Sequence, residues 1–365
     1  MVKPIKFIAV LLILYTSNLY AQDVELTVEE KAFKDSIEAL NLDFATVQRA
    51  KEAYNQGINQ FESKDYKGAV ASFGSSINLF PRFINAYFNR GVAYLQMKNY
   101  EKAIRDFTTV IDSNNSKAIA YSKRAEAYGT VGKYNKAIDD YRAIVKLQPR
   151  NAVAYYNMGD MYFMKEEYLG AIQEFTRAIK IDNNYAYSYN DRGSSYRRLE
   201  KYAEAIMDYQ KAASISPELA FIYNNLGSTR KKMGRYEEAL RAFNKAVEVN
   251  PEFYIAYNNR GGLYFEQGKM ELALKDFNQA IKINNKYAPA YSNRGSVMYQ
   301  QEKYKEAIAD FDKAIQHNPK YANAYVNRGT SKEMIRDIDG ACSDWNKAKE
   351  LGSKQGKKYQ MNNCY

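Results

Sequence analysis

The chain repeats one arrangement of apolar, small and polar positions every 34 residues from residue 50 onward. Each period holds two stretches in which apolar side chains recur three and four positions apart, the spacing of one face of an α-helix. In the segment 186–219, Pro217 ends the second stretch, because proline lacks a backbone N–H and disfavours helix in the preceding residue. The pattern predicts two short helices per period, joined by a tight turn.

Nine windows of this length follow one another without insertion or deletion, beginning at residues 50, 84, 118, 152, 186, 220, 254, 288 and 322. Position 20 of every window is alanine and position 24 is always aromatic. Position 4 is tyrosine in all windows but the first, and position 8 is glycine in all but the third. Small residues allow two helices to approach closely, and rings fill the space between successive helix pairs.

These marker positions, spread over residues 50–355, resemble the tetratricopeptide repeat (TPR) family. The resemblance implies an all-α fold, a right-handed α-solenoid (superhelix) of nine helix-turn-helix repeats. In such a superhelix the first helices line a concave groove and the second helices lie outside. The resemblance therefore favours a scaffold that binds a protein or peptide segment in the groove.

The first residues have the features of a secretory signal peptide, predicted to span residues 1–21. Lys3 and Lys6 precede the apolar run Phe7 to Leu14, which is too short to cross a bilayer, and cleavage is expected after Ala21. We therefore expect an exported protein that is periplasmic or secreted; a secreted protein could also associate with the cell surface. An uncleaved N-terminal anchor is the alternative.

Residues 22–49 are predicted to cap the open end of the first window, which has no neighbour to cover its apolar face. Thr27 and Glu30 form a capping-box pattern, and Phe33, Ile37 and Leu40 share one helical face.

At the other end, residues 356–365 are predicted to form a capping tail that folds back on the last window. Cys342 and Cys364 are the two cysteines of the chain, and in an exported protein an even count favours a disulfide between them. Two free thiols are the alternative.

Two positions of the windows vary together. Position 7 is arginine in six windows, and position 23 of those same windows is aspartate, whereas the other three windows have neither. The six pairs are Arg90 with Asp106, Arg124 with Asp140, Arg192 with Asp208, Arg260 with Asp276, Arg294 with Asp310, and Arg328 with Asp344. Because a guanidinium suits a bidentate contact with a carboxylate, we predict a structural ion pair between the two helices of each window.

Position 6 is expected to face the groove, and it is asparagine in most windows. The candidate binding residues at this position are Asn89, Asn157, Asn225, Asn259, Asn293 and Asn327. Each amide offers both a donor and an acceptor, so a row of them can hold an extended peptide backbone without selecting its sequence. The alternative is that asparagine is simply the common residue of the family at this position.

Two adjacent windows carry basic pairs at positions 12 and 13, namely Arg197 with Arg198 and Lys231 with Lys232. Such a patch suits a carboxylate, a phosphate or an acidic peptide. A solvated charged face is the alternative.

The sequence offers little for catalysis. The single histidine, His317, lies near a helix end, and no Cys-x-x-Cys pair or metal-spaced set of ligands is present. We therefore expect neither an enzyme nor a bound metal or cofactor.

The basic pairs at positions 12 and 13, in a chain of formal net charge +11, leave open a second function, the binding of an anionic polymer through this patch. Export argues against nucleic acid as the normal partner. A recruiting subunit of an envelope enzyme is the third hypothesis, and the sequence sets neither the partner nor the oligomeric state.

Overall fold

The computed structural model describes residue 31, residues 34–35, residues 37–38 and residues 40–364. All regular secondary structure in this part of the chain is helical. The chain divides into two compact units, Met1–Val131 and Gly132–Tyr365, and each is described by itself.

From Phe44 onward, the described part of unit one contains five helices. They are α1 (Phe44–Glu62), α2 (Tyr66–Leu79), α3 (Ile84–Gln96), α4 (Tyr100–Ser113) and α5 (Ala118–Thr130).

Unit two contains the helices that follow. They are α6 (Tyr134–Leu147), α7 (Ala152–Met164), α8 (Tyr168–Ile181), α9 (Ala186–Arg198), α10 (Tyr202–Ile215), α11 (Ala220–Lys232), α12 (Tyr236–Val249), α13 (Tyr254–Glu266), α14 (Met270–Ile283), α15 (Ala288–Gln300), α16 (Tyr304–His317), α17 (Ala322–Met334), α18 (Ile338–Glu350) and α19 (Lys354–Asn363). In every window after the first, the first helix occupies positions 1–13, and in all nine windows the second helix begins at position 17. The all-helical fold that the sequence predicted is therefore confirmed.

The first helix of the array starts earlier than the first window does. Helix α1 begins at Phe44 instead of residue 50, because Asp43 caps it and accepts a hydrogen bond from the Thr46 N–H at 2.6 Å. Ile37 and Leu40 pack against the apolar cluster of the first helix pair, which includes Phe80. The signal peptide, the capping box of Thr27 and Glu30, and Phe33 lie outside the described residues.

The turn between the two helices of a window has one conformation throughout. Position 15 has a positive φ in every window, in Lys64, Lys98, Gly132, Glu166, Glu200, Gly234, Gly268, Glu302 and Arg336. A residue in this left-handed conformation ends the first helix and lets the backbone reverse within three residues. Since only three of the nine are glycines, the sequence did not reveal this rule.

The predicted close packing of the helices is confirmed. All nine alanines at position 20 are fully buried, and so are most of the rings at position 24. Gly227 shows why position 8 is small: a Cβ there would lie 2.8 Å from the Phe243 ring, too close for any side chain. Helices of this length are marginal alone in water, so this packing supplies most of their stability.

Five of the six predicted arginine–aspartate pairs are confirmed, in the windows that begin at residues 84, 186, 254, 288 and 322. In each, the guanidinium donates two parallel hydrogen bonds to the carboxylate, over distances of 2.5 to 2.9 Å. The same guanidinium lies over the tyrosine ring at position 4. Arg124 and Asp140 fall in different units, so their pairing stays a prediction.

The arginines also have a partner that the sequence did not reveal. The third nitrogen donates to the side chain at position 25 of the preceding window, which joins two neighbouring helix pairs. These contacts are Arg124 to Thr108, Arg192 to Thr176, Arg260 to Asn244, Arg294 to Asn278, and Arg328 to Asp312. Each arginine of unit two that makes this contact therefore links three helices.

Helix α19 covers the last helix pair. Its Tyr359 ring lies 5.4 Å from the ring of Trp345, and Gly356 fits against Ala348, where a Cβ would be only 2.6 Å from the alanine methyl. A disulfide joins Cys342 on α18 to Cys364, with their Cα atoms 5.7 Å apart. Within the described range, none of the helices combines the length and the apolar character that crossing a bilayer requires.

Candidate binding face on the first helices

Four of the residues predicted to face a groove, Asn259, Asn293, Lys231 and Lys232, line two recesses on one surface of unit two. This surface, which we call the first-helix face, is formed by positions 5, 6, 9, 12 and 13 of α9, α11, α13 and α15. It contains a cavity of about 200 Å³, lined by Lys231, Asn258, Asn259, Gly262, Phe265, Glu266, Phe277, Asn293 and Ser296. A neighbouring open cleft of about 400 Å³ is lined by Ser228, Lys231, Lys232, Phe243, Asn259 and Glu266. All but the two second-helix phenylalanines come from positions 5, 6, 9, 12 and 13 of the first helices.

The asparagines at position 6 form a hydrogen-bonded ladder across the first-helix face. Each donates its amide to the asparagine at position 5 of the preceding first helix. The bonds are Asn225 to Asn190 at 3.0 Å, Asn259 to Asn224 at 2.8 Å and Asn293 to Asn258 at 2.9 Å. One amide hydrogen of each donor is thus used to join neighbouring helices, and the second remains for a ligand.

The other predicted asparagines differ from this pattern. In unit one, Asn89 donates to the hydroxyl of Tyr54 at 2.7 Å. In unit two, Asn327 donates to Ser296 at 3.4 Å, a long contact. Among the described residues, the side chain of Asn157 has no hydrogen-bond partner. The ladder of paired asparagines is therefore confined to α9, α11, α13 and α15.

An acidic residue takes the ladder position in α9. Asp191 accepts hydrogen bonds from the Tyr156 hydroxyl at 2.7 Å and from the Asn190 amide at 2.8 Å. Burial raises the pKa of Asp191, and these two hydrogen bonds lower it in part. Burial also raises the pKa of Asp160, which lies on the preceding first helix.

The predicted basic patch is partly neutralised by neighbouring acids. The Nζ atom of Lys231 lies 2.8 Å from Oε1 of Glu266. Arg198 lies 3.6 Å from Glu166 and donates to the Tyr168 hydroxyl at 2.8 Å.

The other two residues of the patch, Arg197 and Lys232, have no acidic partner: they make no ion pair within the described part of unit two. Arg197 is half-buried and Lys232 is exposed. The four residues thus do not act as one uniform positive surface.

Neither the described residues of unit one nor those of unit two bring together three or more side chains that could hold a metal ion. His317 packs against the ring of Tyr291, with the ring centroids 5.6 Å apart. This contact gives His317 a packing role at the end of α16.

Sequence reasoning missed two features of this face, the asparagines at position 5 and the recess at Gly262. The first could have been found, because consecutive Asn-Asn pairs recur at 224–225 and 258–259. The second could not, because glycine at position 9 is equally compatible with helix packing.

The fold and the surface just described define an α-helical repeat protein in which the first helices of unit two share one face. Three family models, each described as tetratricopeptide repeat, match residues 184–252, residues 122–186 and 224–289, and residues 84–115 and 288–321. Together they cover more than half of the chain, which therefore belongs to the TPR family. No curated protein matches the chain.

Solved structures share this fold. The chain resembles Pseudomonas aeruginosa PilF with 21% identity and a TM-score of 0.51, over 59% of this chain and 99% of PilF. It resembles the APC/C hetero-tetramer Cut9-Hcn1 with 13% identity and a TM-score of 0.57, over 87% of this chain and 76% of the other. The match to MamA has 29% identity and a TM-score of 0.42, over 44% of this chain and 94% of MamA. Because their identities are low, the matches to PilF and Cut9-Hcn1 support the fold alone, and no argument is based on the match to MamA.

Proposed function

We propose that the protein is a non-enzymatic scaffold whose first-helix face binds an extended peptide or protein segment. The observation that carries the proposal is the asparagine ladder beside two open recesses in unit two. Amide donors at regular intervals can bind successive backbone carbonyls of an extended chain, as in other recognition modes that use main-chain hydrogen bonds. The first and the last helix pair lie outside the residues that the family models match. We assign both to the same array, which gives nine repeats.

The test is a pull-down with the full chain from an extract of the native cell envelope, read by mass spectrometry at low and at high salt. The variant reverses the charge of Arg197, Arg198, Lys231 and Lys232. A matched control reverses four exposed basic residues of second helices, Lys211, Arg241, Lys275 and Lys282. A defined protein retained by the wild type and the control at high salt, and lost from the variant, supports the proposal.

A second candidate function is binding of an anionic polymer. It is favoured by Arg197 and Lys232, which have no acidic partner in the described part of unit two. Such binding would weaken steeply with salt, because it depends on the release of counterions. Polyanionic material at low salt with no protein retained at high salt would favour this function over the scaffold.

We also propose that the protein is exported, with cleavage after Ala21. The support is the charged, apolar and small-residue order of residues 1–21. The mass of the protein isolated from its native cells is the test. A chain beginning at Gln22 is expected, and an intact Met1 would favour the N-terminal anchor instead.

A further inference from the structure

The cavity on the first-helix face exists because Gly262 has no side chain. A Cβ added to Gly262 would have a single neighbour, Nζ of Lys231 at 3.9 Å, so the space in front of it is open. Position 9 carries a side chain in every other window, namely Ile58, Val92, Glu126, Asp160, Ser194, Ser228, Ser296 and Thr330. The recess is therefore particular to the window that begins at residue 254.

The groups around this recess suit an anion. Lys231 reaches it from α11, and Asn259 and Asn293 each keep one amide hydrogen that the ladder does not use. The ring of Phe265 gives the recess an apolar wall. The volume of about 200 Å³ holds several waters at about 30 Å³ each, which a ligand side chain would displace.

Glu266 now neutralises Lys231, but this ion pair is easily exchanged. The Glu266 side chain is 52% exposed, and an ion pair with so exposed a member contributes little because water screens it. A second carboxylate that also receives amide hydrogen bonds can therefore take the place of Glu266, which would turn into the solvent.

We infer that the Gly262 recess binds the carboxylate side chain of an aspartate or glutamate in an extended peptide ligand. The carboxylate pairs with Lys231 and accepts amide hydrogen bonds from Asn259 and Asn293, and the methylene groups contact Phe265. This inference rests on the proposed function, because it assumes that a peptide lies along the first-helix face. It adds that one position of that peptide must be acidic.

The first test selects random linear peptides displayed on phage against the immobilised full chain. The wild type is expected to enrich peptides with one acidic position, and Gly262→Leu is expected to lose that enrichment. Leucine has a higher helix propensity than glycine and meets open space here, so the melting temperature of Gly262→Leu should be unchanged or higher. The matched control is Val92→Leu, which places leucine at the same position of a window in unit one and should enrich the same peptides as the wild type.

The second test measures the affinity of one enriched peptide by fluorescence anisotropy. Lys231→Ala and the change of the peptide's acidic residue to its amide should each weaken binding about tenfold, and both together should weaken it little more. Glu266→Gln should strengthen binding several-fold, because it removes the carboxylate that competes for Lys231. A purely structural Lys231–Glu266 pair would instead leave the affinity unchanged.

The outcomes separate the inference from the proposed function. If peptides are enriched without an acidic position, or if Gly262→Leu enriches the same peptides, the inference is overturned while the scaffold function stands. If the wild type enriches no peptide at all, both are overturned.

Discussion

The windows 186–219 and 220–253 are neighbours, and they build the same helix crossing with opposite chemistry. In the first, Arg192 donates to Asp208 at 2.8 and 2.7 Å and to Thr176 at 3.0 Å. In the second, Leu226 and Ala242 occupy the positions of the arginine and the aspartate and belong to one apolar cluster. The fold therefore does not require the ion pair at this crossing.

The comparison shows what the ion pair does for the array. Removing a guanidinium and a carboxylate from water costs free energy, and their mutual attraction offsets this only when all partners are in place. The balance is visible at Asp208: burial raises the pKa of its carboxyl, and Arg192 lowers it only in part. An apolar pair avoids this cost but has no directional bonds. We therefore assign the arginine mainly a role in fixing the relative positions of three helices.

The largest expected effect comes from breaking the ion pair on one side. Arg192→Leu leaves the buried carboxylate of Asp208 without its partner, and we expect a loss of about 3–5 kcal/mol in the free energy of unfolding. Adding Asp208→Ala copies the next window and should restore most of that loss. Urea unfolding followed by circular dichroism measures both.

The control for this pair of variants is Lys201→Leu, an exposed change expected to lie within about 0.5 kcal/mol of the wild type. A double variant that is as unstable as Arg192→Leu alone would show that the two windows are not interchangeable.

The reciprocal change tests the comparison from the other side. Leu226→Arg places a guanidinium opposite Ala242, and we expect it to destabilise the protein by about 3 kcal/mol through overpacking and an unpaired charge. Adding Ala242→Asp should recover most of this. Gln210, at position 25 of the preceding window, offers an amide oxygen as the third acceptor. No recovery in urea unfolding of the double variant would mean that the crossing in window 220–253 excludes the ion pair.

A smaller effect concerns pH. In Arg192→Leu the pKa of Asp208 should rise further above its unfolded value of about 3.9, because the guanidinium no longer lowers it. The protonated carboxyl of Asp208 is neutral, so burying it costs less free energy than burying the carboxylate. The variant is therefore less destabilised at low pH, and this advantage is lost as the pH rises through the folded-state pKa. The gap in unfolding free energy between wild type and Arg192→Leu should therefore be about 1–2 kcal/mol smaller at acidic than at neutral pH.

The control is the double variant, which lacks the Asp208 carboxyl. The difference in unfolding free energy between the double variant and Arg192→Leu should therefore depend on pH through Asp208 alone. A gap between the wild type and Arg192→Leu that stays constant from neutral to acidic pH would contradict the assignment to Asp208.

Sequence was sufficient where one residue type, or one fixed pair of types, recurs for one role. The alanine at position 20 of every window is one example, and the arginine–aspartate pair of six windows is another, because close packing and bidentate pairing each demand particular side chains. Where several residue types can do the same job, the sequence was silent. Thr176, Asn244 and Asp312 all accept the third arginine hydrogen bond, so no single letter marked that position.

The candidate site was only partly predictable for a related reason. The period predicted that positions 6, 12 and 13 share one face, and residues at these positions line the two recesses of unit two. The hydrogen bond from Asn259 to Asn224, and the ion pair from Lys231 to Glu266, each depend on contacts between windows that a period alone does not give. The sequence therefore indicated which positions share a face, but not the hydrogen bonds and ion pairs that their side chains make.

The smallest expected effect distinguishes the turns of the same two windows. Glu200 and Gly234 both occupy position 15, with φ of 58° and 72°, and the next residue bonds back to the first helix at 2.9 Å in both. The left-handed conformation costs a residue with a Cβ about 1–2 kcal/mol, which the greater entropy loss of glycine on folding offsets by about 0.5–1 kcal/mol. Glu200→Gly should therefore stabilise the protein by about 0.5 kcal/mol, and Gly234→Ala should destabilise it by a similar amount. A Cβ at Gly234 has no neighbour within 4 Å, so a much larger loss in thermal unfolding would contradict a purely conformational cause.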